Sequence, residues 1–315
     1  MTSPLLARPG AVAAEPPDAG VAAHYGDPYR EQRALVAGTA TVDLSHRPVV
    51  RISGADRLTW LHDLTTQHVL ALQPGGWTQA LILSPHGHVE HHLQLVDDGT
   101  AVWAHVEPGT ASDLVGYLDR MRFMNRVGVA DVTADWAVLH SGGVDRLVPR
   151  GELSSYAGDL AGVAAYEALR VADRRPRLGV DTDHRTIPNE VGWLVRAVHL
   201  DKGCYRGQET VARVYNLGRP PRRLALLHLD GSDSELPVTG EPVTYDGREV
   251  GRVGTAVRHF ELGPLALALV KRQVPDDADV VAGSVPARID PAPADEPVSP
   301  ARAAADARTL LPRRR

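Results

Sequence analysis

The chain has 315 residues, 43% hydrophobic and 23% charged, with a formal net charge of −5 at pH 7, a balance that suits two or three packed units. No element carries the basic stripe needed to hold a nucleic-acid backbone, so direct nucleic-acid binding is not expected. No apolar run reaches the roughly 18 residues of a membrane span, and the first 20 residues lack a cationic start followed by an apolar block. No membrane association is expected, and the location reads as cytoplasmic.

Residues 1–21 are rich in Pro, Ala and Gly without periodicity and read as a disordered tail. Residues 48–53 read as a strand, and 56–64 place Leu58, Leu61 and Leu64 on one face of a short helix. The runs 80–83, 89–96 and 101–106 are separated by the turn chemistry of Ser84-Pro85-His86-Gly87 and Asp97-Asp98-Gly99, which predicts an antiparallel meander. A helix follows at 110–121, strands at 127–132 and 136–140, and a second helix at 162–172 carrying Val163, Tyr166, Leu169 and Arg170. Residues 208–216 read as a helix stopped by Gly218 and Pro220-Pro221. The segment Arg219-Pro-Pro-Arg222-Arg223 reads as a solvated linker. Strands at 224–229, 242–245, 249–257 and 265–270, with a hairpin at Asp246-Gly247, predict a small β-barrel or sandwich. Residues 291–315 resemble the first 21 and read as a second tail. Strands and helices without regular alternation imply an α+β fold.

Residue usage points to one place. Of 34 basic residues only Lys202 and Lys271 are lysines, and the single cysteine, Cys204, lies two residues from one of them, with Gly203 and Gly207 around it. One cysteine excludes an internal disulfide and any four-cysteine metal site, and it fits a reducing compartment. Cys204 falls just before the 208–216 helix, whose partial positive charge, together with Lys202, would favour a thiolate. A small buried hydrophobe is the other reading of an isolated cysteine. Gln208 and Glu209 read equally as capping residues or as part of the site. The histidines His86, His88, His91 and His92 lack acidic or sulfur ligands at supporting spacing, so they read as surface histidines rather than a metal centre.

The run Lys202-Gly203-Cys204-Tyr205-Arg206-Gly207-Gln208-Glu209, followed by Val211-Ala212-Arg213, is similar to the K-G-C-[FY]-x-G-Q-E signature of the YgfZ family, within the glycine-cleavage T-protein superfamily. Asp43-Leu-Ser-His46, Ile52-Ser-Gly54-Ala-Asp56, Leu83-Ser-Pro-His-Gly87 and Thr186-Ile-Pro188-Asn-Glu190-Val-Gly192 resemble flanking segments of that family. The resemblance runs from about residue 22 to 285. It implies a three-domain ring of the T-protein type: 22–48 with 131–217, then 49–130, then a C-terminal barrel at 218–290.

The resemblance further implies a folate-binding accessory protein that supports iron–sulfur cluster assembly or repair, with tRNA-thiolating enzymes among the clients. Its partners would be folate and iron–sulfur client or assembly proteins. Cys204 would be the functional thiol and Lys202 its electrostatic partner. Tyr166, Gly203, Tyr205, Gly207, Gln208 and Glu209 would face tetrahydrofolate or a derivative, though core packing explains Tyr166 equally well. No resident metal is implied. The alternative is a tetrahydrofolate-dependent aminomethyltransferase like the T-proteins, which is the one enzyme class the resemblance admits. Two departures bear on these readings. His91 and His92 stand where T-proteins carry a carboxylate pair, and an imidazole is a poor stabiliser of a developing cation. Ala172 stands where the family has a pterin-reading glutamate, and Asp173 is about 100° away around the helix.

Overall fold

A computed structural model describes residues 1–218, 220–232 and 235–291. The chain begins with β1 (Val12–Ala13) and β2 (Ala22–His24), then α1 (Pro28–Val36) and β3 (Thr41–Asp43). The Asp27 carboxylate accepts from Tyr29 N and Arg30 N at 3.0 and 3.1 Å, and Pro28 fills a first-turn position where no donor is needed, so α1 starts sharply.

Next come β4 (Val49–Ser53), α2 (Arg57–Leu64), β5 (Trp77–Leu83), β6 (Val89–Asp97), β7 (Ala101–His105), α3 (Ala111–Arg120) and β8 (Gly128–Asp131). These strands form one antiparallel sheet in the order β5-β6-β7-β4-β8. Alternate residues along β6 are buried, as a sheet with one covered face requires. That face packs Ile52, Leu93 and Leu95 against Leu61 of α2 and Leu114 and Leu118 of α3, all fully buried.

The chain then returns with β9 (Trp136–Ser141), β10 (Val144–Pro149) and β11 (Leu160–Ala161), which join β3 in a four-stranded sheet, β10-β9-β3-β11. Three helices follow, α4 (Val163–Ala172), α5 (Trp193–Arg196) and α6 (Gln208–Leu217). The last unit is a closed barrel of β12 (Arg222–Leu229), β13 (Pro242–Tyr245), β14 (Arg248–His259), β15 (Gly263–Lys271), β16 (Asp279–Ala282) and β17 (Val285–Asp290). Its order is β12-β15-β14-β13-β16-β17, and β17 pairs back onto β12, which leaves no open edge. The Asp246-Gly247 turn between β13 and β14 has φ of +49° and +72°, the left-handed pair that a two-residue hairpin needs. The fold is mixed α and β with a C-terminal six-stranded barrel, as expected from the sequence.

Three sequence expectations change. Residues 1–21 do not behave as a free tail: Leu5 is 1% exposed in a cluster with Ala137, Leu139 and Leu153, and Ser3 N donates to Gly20 O at 2.8 Å. The order comes from tertiary burial, which leaves no local periodicity to read. The expected linker at 219–223 also differs, because Arg222 and Arg223 open β12 and Arg222 holds Asp183 at 2.5 Å and Glu190 at 2.8 Å. Finally, β16 and β17 complete the barrel beyond the strands read from sequence. The expected C-terminal tail lies, from residue 292 onward, outside the described residues. Among the described residues no helix is long and apolar enough to cross a membrane.

Candidate functional site

The 202–209 segment alternates between anchors and exposed residues. Lys202 and Tyr205 are 6% and 8% exposed, whereas Gly203 and Cys204 are exposed. The Lys202 ammonium donates to the carbonyl oxygens of His62, Thr65 and Gln67, and it lies 5.3 Å from the centre of the Tyr205 ring. Burial pulls the pKa of this lysine down to about 8, opposed by nearby Asp63. Tyr205 packs with Leu81, Leu83, Trp193, Val211 and Leu269, a core drawn from the five-stranded sheet, the helical segment and the barrel. Cys204 is therefore an exposed thiol on a loop held from both sides, and not a small core residue.

Gly207, with φ +80°, forms the N-cap of α6. A Cβ there would stand 2.5 Å from Ser84 O and 2.9 Å from Gly87 Cα, so the turn between β5 and β6 meets the start of α6 backbone to backbone. Gln208 is the first helical residue and its N–H donates to Tyr205 O at 3.2 Å, while Glu209 in the first turn is exposed. Gly203 has no atom within 4 Å of the Cβ position, so no protein group approaches it closely.

The 186–192 segment locks the same region. Thr186 O accepts from Val89 N at 2.8 Å, and Asn189 Nδ2 donates to Val211 O at 3.2 Å. Glu190, 3% exposed, accepts from both Arg222 and Ile187 N. Gly54 and Asp56 have an equally local reason. A Cβ on Gly54 would meet Arg126 O at 2.0 Å, and the Asp56 carboxylate takes the backbone N and guanidinium of Arg126 at 2.6–3.0 Å.

Tyr166, on α4, lies in a different core cluster from Tyr205 and is 7% exposed. The guanidiniums of Arg47 and Arg175 stand 5.5 and 5.8 Å from its ring centre, the His140 ring lies at 5.0 Å, and Arg47 Nε makes no hydrogen bond. Ala172 packs toward the barrel with Leu226 and Leu267, while Asp173 points outward and pairs with Arg175 at 3.4 Å.

Beside Tyr166 runs a buried charge network that sequence reasoning missed. Arg177 holds Glu107 at 2.7 Å, Asp18 at 2.8 Å and Glu167 at 3.4 Å. Arg170 holds Glu167 at 2.6 Å and Asp181 at 2.8 Å, and Asp18 also pairs with His46 at 2.9 Å. Arg47 stands 3.6 Å from Glu107. Burial alone would raise the pKa of Glu107, but Arg47 and Arg177 outweigh it and hold the value near 2. The partners lie up to 159 positions apart, so no local pattern could reveal them. Glu167 and Arg177, with Pro17, Tyr29, Leu236 and Thr255, line a cavity of about 540 Å³, a volume within the range of small-molecule sites.

The four histidines do not all lie on the surface. His86 is exposed and His88 half-buried, but His91 is 8% exposed and lies 6.2 Å from the Tyr117 ring. His92, on the opposite sheet face, lies 4.7 Å from the Trp193 ring and 3.0 Å from Gln79 Oε1. Burial, helped by Arg47 and His105 and opposed by Glu107, pulls the His92 pKa down to about 4. Among the described residues no group of three or more His, Cys, Asp or Glu side chains could hold a metal ion.

This architecture is the fold of the glycine-cleavage T-proteins. The chain superposes on the crystal structure of the glycine cleavage system aminomethyltransferase T from Bartonella henselae with a TM-score of 0.75 and 15% identity, over 93% of this chain and 97% of that one. Residues 222–296 match the family model of the CAF17 C-terminal beta-barrel domain. A chloroplastic Arabidopsis thaliana protein described as a putative transferase is 25% identical over 72% of this chain and 65% of its own length. The mitochondrial iron-sulfur cluster assembly factor IBA57 homolog of Mycosarcoma maydis is 25% identical over 58% of this chain and 55% of its own. The chain thus spans less than two thirds of the length of either relative.

Proposed function

We propose that this chain is a folate-binding accessory factor of iron–sulfur cluster assembly or repair, of the IBA57 and YgfZ kind, which offers the Cys204 thiol to a cluster-bearing client or assembly partner. The observation that carries the reading is the thiol itself, the only cysteine of the chain, exposed on a loop anchored by two buried neighbours. Support comes from the barrel match and from the name of the fungal relative. An exposed free thiol fits a reducing compartment and a cytoplasmic location, whereas both curated relatives are organellar by name.

Folate is the expected ligand of the Tyr166 region. Its aromatic ring, the two flanking guanidiniums and the unbonded Arg47 Nε fit an aromatic ligand that carries carboxylates. Bound there, a reduced folate would supply a one-carbon carrier, while Tyr166 would orient it and Arg47 would hold its charge.

The test replaces Cys204 with alanine in a strain lacking the protein and assays a cluster-dependent enzyme such as a tRNA-thiolating one. Loss of that activity is expected, and full activity would overturn the role of the thiol. Titration calorimetry with tetrahydrofolate on wild type and Cys204→Ala should give equal binding; no heat from either would remove the folate half. The T-protein fold favours aminomethyl transfer as a second reading. Against it stand His91 and His92, which offer no anion where T-proteins carry carboxylates, and turnover of an aminomethyl donor with tetrahydrofolate would reinstate it.

A further inference from the structure

The acceptors of Lys202 are special ones. His62 O, Thr65 O and Gln67 O lie on the last turn of α2 and the residues just after it. The final carbonyls of a helix have no intrahelical partners and carry partial negative charge. An ammonium placed among them is a C-terminal cap, here supplied from up to 140 positions away in the chain.

Three oxygens that converge on one point suit the three N–H donors of an ammonium better than the planar fork of a guanidinium. The chain uses arginine at all but two of its 34 basic positions. The other lysine, Lys271, likewise donates to a backbone carbonyl, Glu249 O, at 3.1 Å.

We propose that Lys202 is a positioning residue, which pins the 202–205 loop to the end of α2 so that Cys204 stands outward in a fixed place, and that it does not act on the thiol through its charge. The inference rests on the reading of Cys204 as the working thiol and stands as the alternative to the expectation of an electrostatic partner. Its ammonium is committed to α2, while the thiol two residues on faces solvent. Tyr205 closes the other side of the loop within the core shared with Trp193 and Leu269.

The experiment uses the full chain as wild type, Lys202→Met and Lys202→Arg, with two readouts. One is the pH–rate profile of Cys204 alkylation by iodoacetamide, a neutral probe. The other is amide hydrogen exchange of residues 203–206. In both variants exchange should quicken about tenfold, the scale of one lost hydrogen bond to a charged group, while the alkylation midpoint stays at the wild-type pH. Lys202→Arg decides between the two roles, because it keeps the charge and alters only the geometry. Wild-type exchange in that variant, or an upward shift of the midpoint in Lys202→Met, would overturn the proposal. A Cys204→Ala chain that fully supports cluster enzymes would remove the role of the thiol and leave these two readouts standing, so the failures remain distinguishable.

Discussion

Gly87 and Gly207 meet backbone to backbone. Each has a left-handed φ, +82° and +80°, and a Cβ on Gly207 would come within 2.9 Å of Gly87 Cα. A Cβ on Gly87 would in turn stand 2.8 Å from Thr210 Cβ, one turn into α6. The β5–β6 turn and the helix behind Cys204 therefore share one contact that side chains of any size would push apart.

Gly207→Ala should destabilise the chain by about 2 kcal/mol or more, from the left-handed backbone plus the clash. Gly142→Ala is the control, since Gly142 has φ +58° but nothing within 4 Å of its Cβ position. Urea unfolding of both variants checks this, with the larger loss expected at Gly207.

Glu107 predicts acid sensitivity. Its pKa falls from 4.5 in the unfolded chain to about 2 in the fold. The stability it contributes is full above pH 4.5 and is lost as the pH falls through about 2, a change on the order of 3 kcal/mol. Unfolding free energies measured across that window should slope steeply in wild type and less in Glu107→Gln.

His92 predicts a second window, of similar size and at higher pH. Its pKa drops from 6.5 to about 4, so the fold keeps the imidazole neutral, with full benefit above 6.5 and a loss as pH falls toward 4. The ring-proton NMR signal of His92 should titrate near pH 4, and a midpoint near 6.5 would show that the ring is solvated.

Trp193, 1% exposed, sits where the sheet, the helical segment and the barrel share a core, with Leu81, Val211 and Leu269 around it. Trp193→Ala should cost about 3–5 kcal/mol. Calorimetric melting should show all units losing stability together, whereas an independent barrel transition would mean that this core does not couple them.

Periodic elements were readable to within a residue or two. The helix expected at 110–121 is Ala111–Arg120, and that at 208–216 is Gln208–Leu217. The strand expected at 89–96 is Val89–Asp97. The 111–120 helix and the 89–97 strand each bury one face against a neighbour, which writes the period into the sequence, whereas α6, with only Val211 buried, was marked by its Gly218 and Pro220-Pro221 stop. What was not readable depends on distant partners. Helix α1 has almost no buried apolar stripe, since its buried residues are Glu31 and Gln32. Glu31 accepts from Gly162 N at 2.8 Å, and Gln32 Nε2 donates to Arg258 O at 3.0 Å. In the site, composition singled out Lys202 and Cys204, but the direction of the ammonium depends on carbonyls more than 130 positions earlier.

The opening segment carries a practical consequence for anyone handling this chain. Asp18 sits inside the molecule between His46 and Arg177, and Leu5 and Val21 are interior residues. Trimming to residue 22, where the sequence pattern places the start of the folded part, would remove a counter-ion from the interior and open two apolar seats. A shortened version that aggregates would therefore say nothing about the chemistry of Cys204, because the damage would lie with the missing strap.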